Sequence, residues 1–253
     1  PPTIEPFFVI AQVLAMFLCF FAGFCCRAGS FVSECHDIID LNSRNMPFDF
    51  IFQIAILIMS VVVHEVSHGF AAYKLGDPTA KYEGRLSLNP LKHLDPFGSV
   101  ILPILLAISQ AGFIIGWAKP VPVNTYNLRN QRWGEAIVAA AGPLSNIIIA
   151  IIFGLAIRFA LGWGMIIGSS AVLEVTALIV FINLLLAVFN LVPIPPLDGS
   201  KILFAFLPER VRRYREIFEN YGFFIVLIFI FFFWGVISPI VTGLFVLITG
   251  LYI

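Results

Sequence analysis

DFIFQIAILIMSVVVHEVSHGFAAY, residues 49–73, is an apolar segment long enough to cross a bilayer as one helix. Its second half carries HEVSH, with His64, Glu65 and His68. On a helix, two histidines four residues apart project from nearly the same face, about 6 Å apart along the axis. Two imidazoles so placed can share one metal ion, and Glu65 can reach a water bound to that ion. The stretch therefore predicts zinc-hydrolase chemistry inside a membrane helix.

Chance is the alternative explanation for HEVSH, because a five-residue pattern with three fixed positions arises by accident in many proteins. The membrane context weakens that explanation. An ionisable cluster is costly in a bilayer-spanning segment and is normally present there for a function. The pattern is therefore interpreted as a functional metal site.

Composition indicates a polytopic, all-α membrane protein. Hydrophobic residues make up 60% of the chain and charged residues 12%, against roughly 45–50% and 25% in soluble domains. A length of 253 residues leaves room for about five to six membrane helices. The formal net charge of zero and the lack of a basic block argue against a nucleic-acid partner. The lipid bilayer is the expected environment.

Residues 1–46 differ from the remainder of the chain. They contain all four cysteines, at spacings that fit no zinc pattern. The apolar run 7–24 could span a membrane but follows Glu5 and no basic residue, so it is a poor secretory signal. We interpret 1–46 as an accessory membrane segment and linker, which could be a foreign extension, and 47–253 as the catalytic domain.

The rest of the chain alternates between apolar and polar segments. Residues 136–160 and 171–190 are predicted spanning helices, and 222–253 has length for one or two crossings. The alternating run 81–88 predicts a short strand or hairpin. The apolar segment 97–116 carries a proline, a glutamine and three glycines, so it could cross or only dip into the membrane.

A third zinc ligand is expected because two histidines must be joined by another protein group while one position stays open for water. Asp198, in PPLDG after a spanning helix, is the best candidate, although an Asp-Gly turn would also explain it. Other acids suit the role less: Asp77 and Asp95 lie in polar loops and Glu174 near a helix start.

Topology gives an independent argument for a re-entrant segment at 97–116. His64 and Asp198 can meet only if the chain returns to the same face between them. If 97–116 dips in and returns, twelve basic residues share one side and three lie on the other. The positive-inside rule then makes the main basic loops cytoplasmic in a multi-pass protein of the cell membrane.

Three motifs together resemble the site-2 protease family of intramembrane zinc metalloproteases: HEVSH, AGPLSN and NLVPIPPLDG, each on or beside a membrane helix. The resemblance covers about residues 49–253. It is closest to the minimal bacterial or archaeal type, without a PDZ-like or nucleotide-binding domain. It implies one Zn²⁺ per chain, bound by His64, His68 and Asp198, with Glu65 as general base.

The resemblance also implies that Asn190 helps to hold the substrate carbonyl or its oxyanion, and that His93 assists. From the residues alone, Asn190 could equally cap its helix, and His93 could be an ordinary loop residue. Asn146, in AGPLSN after a run of small residues, indicates close helix packing.

The predicted function is zinc-dependent endopeptidase cleavage in or near transmembrane segments. By the resemblance, the substrate is a single-span membrane protein or a signal-peptide-like segment. A metal-ion transporter or channel is the main alternative, since intramembrane histidine and aspartate also mark ion pathways. An inactive scaffold is disfavoured, because every residue expected for hydrolysis is present.

Overall fold

The computed structural model describes residues 46–93, 119–163, 170–208 and 221–251, together with positions 95, 97, 101, 105, 108 and 109. Within this part of the chain the structure is helical and contains no strand. Two 3₁₀ turns lie at Pro90–Lys92 and Thr125–Asn127. The helices are α1 (Met46–Lys74), α2 (Thr79–Tyr82), α3 (Gln131–Gly162), α4 (Ser170–Asn190), α5 (Asp198–Phe206) and α6 (Gly222–Thr249).

Four of the described helices, α1, α3, α4 and α6, are long and apolar enough to cross a bilayer. The chain is accordingly a multi-pass membrane protein. The α6 helix runs without interruption through Pro239, so 222–253 accounts for one crossing rather than two. A proline is tolerated here because neighbouring helices can satisfy the freed backbone carbonyl. The further crossings needed to reach five or six would fall on residues 1–45 and 94–118, which lie largely outside the described residues.

The core is built around α4, which is packed between the other spanning helices. Branched aliphatic and phenylalanine side chains of α4 are almost fully buried against α1, α3 and α6, and they include Val180, Ile182, Leu185, Leu186 and Phe189. Many large apolar side chains of α3 and α6 remain exposed, as expected for surfaces that face lipid. This arrangement places the HEVSH half of α1 against the inner helices.

The strand predicted over 81–88 is wrong. The segment instead begins in α2, turns at Gly84 with a positive φ of 66°, and continues as irregular chain. Its backbone hydrogen bonds are local, such as Arg85 N–H to the carbonyl of Ala80 at 2.9 Å. Among the described residues there is no strand with which this segment could pair. Arg85 is buried, but burial does not alternate along the segment as it would in a strand with one inner face.

Residues 119–124, KPVPVN, form a segment outside any helix or strand that we term the strap. Its two prolines favour extended backbone, and Asn124 at its end is extended. The Lys119 N–H donates to the carbonyl of His93 at 2.7 Å, so Lys119 lies beside His93. The two ends of segment 94–118 therefore lie side by side, as a segment that dips in and returns would require. How deeply the intervening residues enter the membrane lies outside the described part of the chain, and the re-entrant segment stays a prediction.

The buried side chain of Asp77 anchors the far end of the strap. Its carboxylate accepts hydrogen bonds from the backbone N–H of Asn124 at 2.7 Å, the Asn127 amide at 2.9 Å and the hydroxyl and N–H of Thr79. Burial opposes ionisation of Asp77, but these hydrogen bonds outweigh it and hold the pKa of the carboxyl below its ordinary value. Asp77 therefore stabilises the fold in its charged form.

We expect Asp77→Asn to lower the free energy of unfolding at neutral pH by about 1–3 kcal/mol. The NH₂ group of the asparagine cannot accept a hydrogen bond, so some of the N–H and O–H groups that donate to Asp77 would lose their acceptor. A carboxyl whose pKa is lowered by folding contributes stability above its unfolded pKa of about 3.9 and loses it as pH falls through the folded pKa. The difference in free energy of unfolding between the wild-type protein and Asp77→Asn should therefore shrink below about pH 4. Thermal unfolding in detergent at several pH values measures it, with exposed Glu83→Gln as control. A difference independent of pH would contradict the assignment.

Candidate metal centre

Three buried side chains from two distant parts of the chain converge at one point. The Nε2 atoms of His64 and His68 both lie 3.2 Å from Oδ2 of Asp198. The two imidazole rings are 4.6 Å apart and nearly perpendicular. One ligand atom from each residue lies within 4.8 Å of the others, as binding to a single ion requires. The structure thus brings together the residues that the sequence analysis selected as ligands.

Asp198 reaches the histidines because α5 begins immediately after a tight connection from α4. Asp198 is the first residue of α5, and the preceding Leu197 is fully buried. A Cβ atom on Gly199 would lie only 2.3 Å from the carbonyl oxygen of Leu191, so only glycine allows this approach to the end of α4. The Asp-Gly pair is therefore the start of a helix rather than a surface turn.

A backbone carbonyl orients His68. Its Nδ1 lies 2.7 Å from the carbonyl oxygen of Val138 on α3 and must donate, since a carbonyl only accepts. The Nε2 atom of the neutral ring is then the nitrogen whose lone pair would bind zinc. Histidine ligands of metals are typically held in this way, with the second ring nitrogen donating to a carbonyl or carboxylate.

Gly142 on α3 leaves room for the two imidazole rings to pack against the helix. A Cβ atom built on Gly142 would lie 2.4 Å from Nε2 of His68 and 2.6 Å from Nε2 of His64. Any side chain at this position would therefore collide with the two nitrogens that would bind zinc. The donor set of two nitrogens and one carboxylate oxygen is that of a catalytic zinc with an open fourth position. The residues present therefore fit zinc.

Gly142→Ala is expected to weaken zinc binding at least about 10-fold, because the methyl group would collide with the Nε2 atoms of both histidines. Zinc content after equilibration with a competing chelator measures the effect. Gly243→Ala on α6 is the matched control, since a Cβ atom there meets no atom within 4 Å. Full zinc affinity in Gly142→Ala would show that the ion lies elsewhere.

Glu65 lies beside the three ligands rather than among them. Its Oε2 atom accepts a hydrogen bond from the backbone N–H of Val121 in the strap at 3.1 Å. The side chain is largely buried. The strap thus holds one of the two carboxylate oxygens of Glu65.

Asn190 is the last residue of α4 and is almost fully buried. Its Nδ2 donates to the carbonyl of Leu186, one turn back along the same helix, at 2.9 Å. The amide oxygen of Asn190 has no hydrogen-bond partner among the described residues. Asn190 thus bonds to the last turn of its own helix, as the capping role considered from sequence would require. This bond uses one of its two amide hydrogens.

His93 has a different environment from the three converging residues. Its ring is buried, and Nε2 donates to the carbonyl of Ser87 at 2.9 Å. Its backbone carbonyl accepts from Lys119 at the start of the strap. The structure therefore connects His93 to the strap, and through the strap to Val121, rather than to the paired histidines directly.

Sequence reasoning missed three contributors: the Val138 carbonyl, the Val121 N–H and the absent side chain of Gly142. Backbone groups have no sequence signature of their own. The small residues before Pro143 indicated close helix packing in general. They did not indicate that Gly142 packs against the two histidines.

Comparison with known proteins agrees with this geometry. The sequence profile of Peptidase family M50 matches residues 164–233. "Putative zinc metalloprotease YwhC" of Bacillus subtilis is 43% identical over 175 residues, which are 68% of this chain and 76% of the relative. "Putative zinc metalloprotease Rip2" of Mycolicibacterium smegmatis is 35% identical over 186 residues, 71% of this chain and 66% of the relative.

A more distant relative is archaeal. "Putative zinc metalloprotease MJ0611" of Methanocaldococcus jannaschii is 30% identical over 185 residues, 66% of this chain and 83% of the relative. No solved structure matches the chain significantly. On these similarities the chain belongs to peptidase family M50, the site-2 protease family, and is a zinc metalloendopeptidase.

Proposed function

We propose that this protein cleaves peptide bonds within or near the transmembrane segments of other membrane proteins, with zinc held by His64, His68 and Asp198. The observation that carries the proposal is the convergence of these three buried side chains beside a spanning helix. An ionisable cluster at such a place is costly unless it serves a function.

Glu65 acts as the general base in this proposal. Bound zinc would lower the pKa of a coordinated water to about 7. Glu65 accepts a proton from the attacking water and delivers it to the leaving nitrogen. Its Oε2 is held by the Val121 N–H, which leaves Oε1 to receive the proton. Its place next to His64 in sequence keeps it within reach of the same water.

Asn190 and His93 are proposed to support the reaction. One amide hydrogen of Asn190 is bonded to Leu186, and the other can donate to the substrate carbonyl oxygen as negative charge develops there. His93 assists from the strap side, where its carbonyl holds Lys119.

The strap is proposed to pair with the unwound substrate. A transmembrane helix hides its peptide bonds in hydrogen bonds, so it must open locally before cleavage. An extended substrate can then add to an extended partner. Within the strap, Pro120 and Pro122 have no N–H, and the N–H groups of residues 119, 121 and 124 are bonded. Pairing would therefore use the strap's carbonyls and the N–H of Val123.

The remaining assignments follow the sequence analysis. The catalytic domain is residues 47–253, with 1–46 as an accessory membrane segment. The polar segments on the side of the metal centre carry most of the basic residues and face the cytoplasm. The substrate class is a single-span membrane protein or a signal-peptide-like segment.

Reconstitution separates the endopeptidase from the ion transporter. Vesicles containing the purified chain and a single-span test protein with a helix-destabilising Gly-Pro pair in its span are assayed for cleavage. A zinc-sensitive dye inside the vesicles reports ion flux in the same preparation. We expect cleavage within the span, abolished by zinc removal, and no flux above protein-free vesicles. Zinc flux without cleavage would support the transporter instead.

A further inference from the structure

Three buried polar side chains on α1, α3 and α4 take no part in the chemistry described above. They are Ser60 on α1, Asn146 on α3 and Asn183 on α4, and at most 5% of each is exposed. Asn183 Nδ2 donates to the hydroxyl oxygen of Ser60 at 3.0 Å and to the carbonyl of Ile179 at 2.8 Å. Polar groups buried together among spanning helices are costly unless they have partners.

Helix register places Asn146 beside this pair. His68 contacts Val138, and one turn back on α1, His64 approaches Gly142, one turn forward on α3. The two helices are thus antiparallel, and the next step along the same register sets Ser60 opposite Asn146. Helical side chains tilt toward the N-terminus of their helix. The ring of His64 therefore leans toward the turn of Ser60, and Asn146 leans toward Gly142.

Three buried atoms around this point have no partner among the described residues: Nδ1 of His64, Nδ2 of Asn146 and Oδ1 of Asn183. When Nε2 of His64 binds zinc through its lone pair, Nδ1 of the neutral ring carries the hydrogen and is a donor. The set is therefore two donors and one acceptor. One water molecule is complementary to that set, and buried waters typically make about three such bonds.

We propose that Asn146 and Asn183, with Ser60, hold a buried water that positions His64 for zinc binding. The water accepts hydrogen bonds from His64 Nδ1–H and Asn146 Nδ2–H and donates to Asn183 Oδ1. The water orients the His64 ring by accepting from Nδ1, just as the Val138 carbonyl orients the His68 ring. Asn146 and Asn183 are positioning residues, and the inference rests on the metal site of the proposed function.

The test is the zinc dissociation constant of the full chain in detergent, measured by competition with a chelator. Asn146→Leu and Asn183→Leu fill the space and exclude the water, and each should weaken zinc binding about 10-fold or more. Asn146→Ala and Asn183→Ala leave room for a second water, so each should weaken binding less than the matching leucine variant. A purely structural role predicts the reverse order, because alanine leaves the larger cavity.

Thr249→Val is the control, since it removes a fully buried hydroxyl from α6 and should leave zinc binding unchanged. If a leucine variant does not fold, the alanine variant of the same residue still reports a partial loss. Unchanged zinc affinity in the folded variants of both asparagines would overturn this inference and leave the proposed metal site in place. Zinc affinity that survives Asp198→Asn would instead remove the proposed metal site, and the inference with it.

Discussion

Glu65→Gln is expected to lower kcat for peptide cleavage by at least about 100-fold, since general acid–base catalysis contributes roughly 10²–10⁴. The amide cannot accept the proton from water at neutral pH. Its oxygen can still accept the Val121 N–H, so the strap and the fold should be retained. Zinc should stay bound, because Glu65 is not among the converging ligand atoms. Cleavage and zinc content are measured on the same purified sample.

The control for Glu65→Gln is Glu83→Gln, the same change at an exposed position in the turn after α2. It should leave both cleavage and zinc unaltered. Two results would contradict the role of Glu65. Undiminished cleavage would show that another group takes the proton. Loss of zinc together with cleavage would make Glu65 a ligand rather than a base.

Asp198→Asn is expected to have the largest effect on the metal itself. The carboxylate oxygen lies 3.2 Å from both imidazoles, and the neutral amide that replaces it is a much weaker zinc ligand. Zinc affinity should fall by more than the roughly 10–100-fold typical of residues behind the ligands, and cleavage should fall with it. Chelator competition and the vesicle cleavage assay measure the two effects.

Glu174→Gln is the matched control for Asp198→Asn, because Glu174 is the acid near the start of α4 that the sequence analysis set aside. It is exposed and should leave zinc affinity unchanged. If Asp198→Asn kept wild-type affinity while Glu174→Gln lost it, the choice of third ligand would be wrong.

The features that were predictable from sequence are those encoded within one segment. Apolar length identified α1, α3 and α4 as spanning helices, and the spacing of His64 and His68 placed both on one face. Asp198 was selected because it follows a spanning helix and a proline-rich segment, and the structure brings it to the histidines. These inferences need only helix geometry and the cost of charge in lipid.

The features that sequence could not supply depend on packing between segments. The register of α1 against α3 determines which carbonyl orients His68 and which glycine faces the ligands. The predicted strand at 81–88 failed for the same reason, since alternation specifies a strand only when a partner is available. The unpaired atoms of Asn146 and Asn183 likewise become apparent only when the helices are assembled.

X-ray absorption by the zinc-loaded protein tests the central claim most directly. We predict a zinc coordinated by two imidazole nitrogens at about 2.0–2.1 Å and a carboxylate oxygen at about 2.0–2.2 Å, altered in Asp198→Asn. A sulfur shell near about 2.3 Å would place the metal at the cysteines instead. That result, or a spectrum unchanged in Asp198→Asn, would contradict a zinc held by His64, His68 and Asp198.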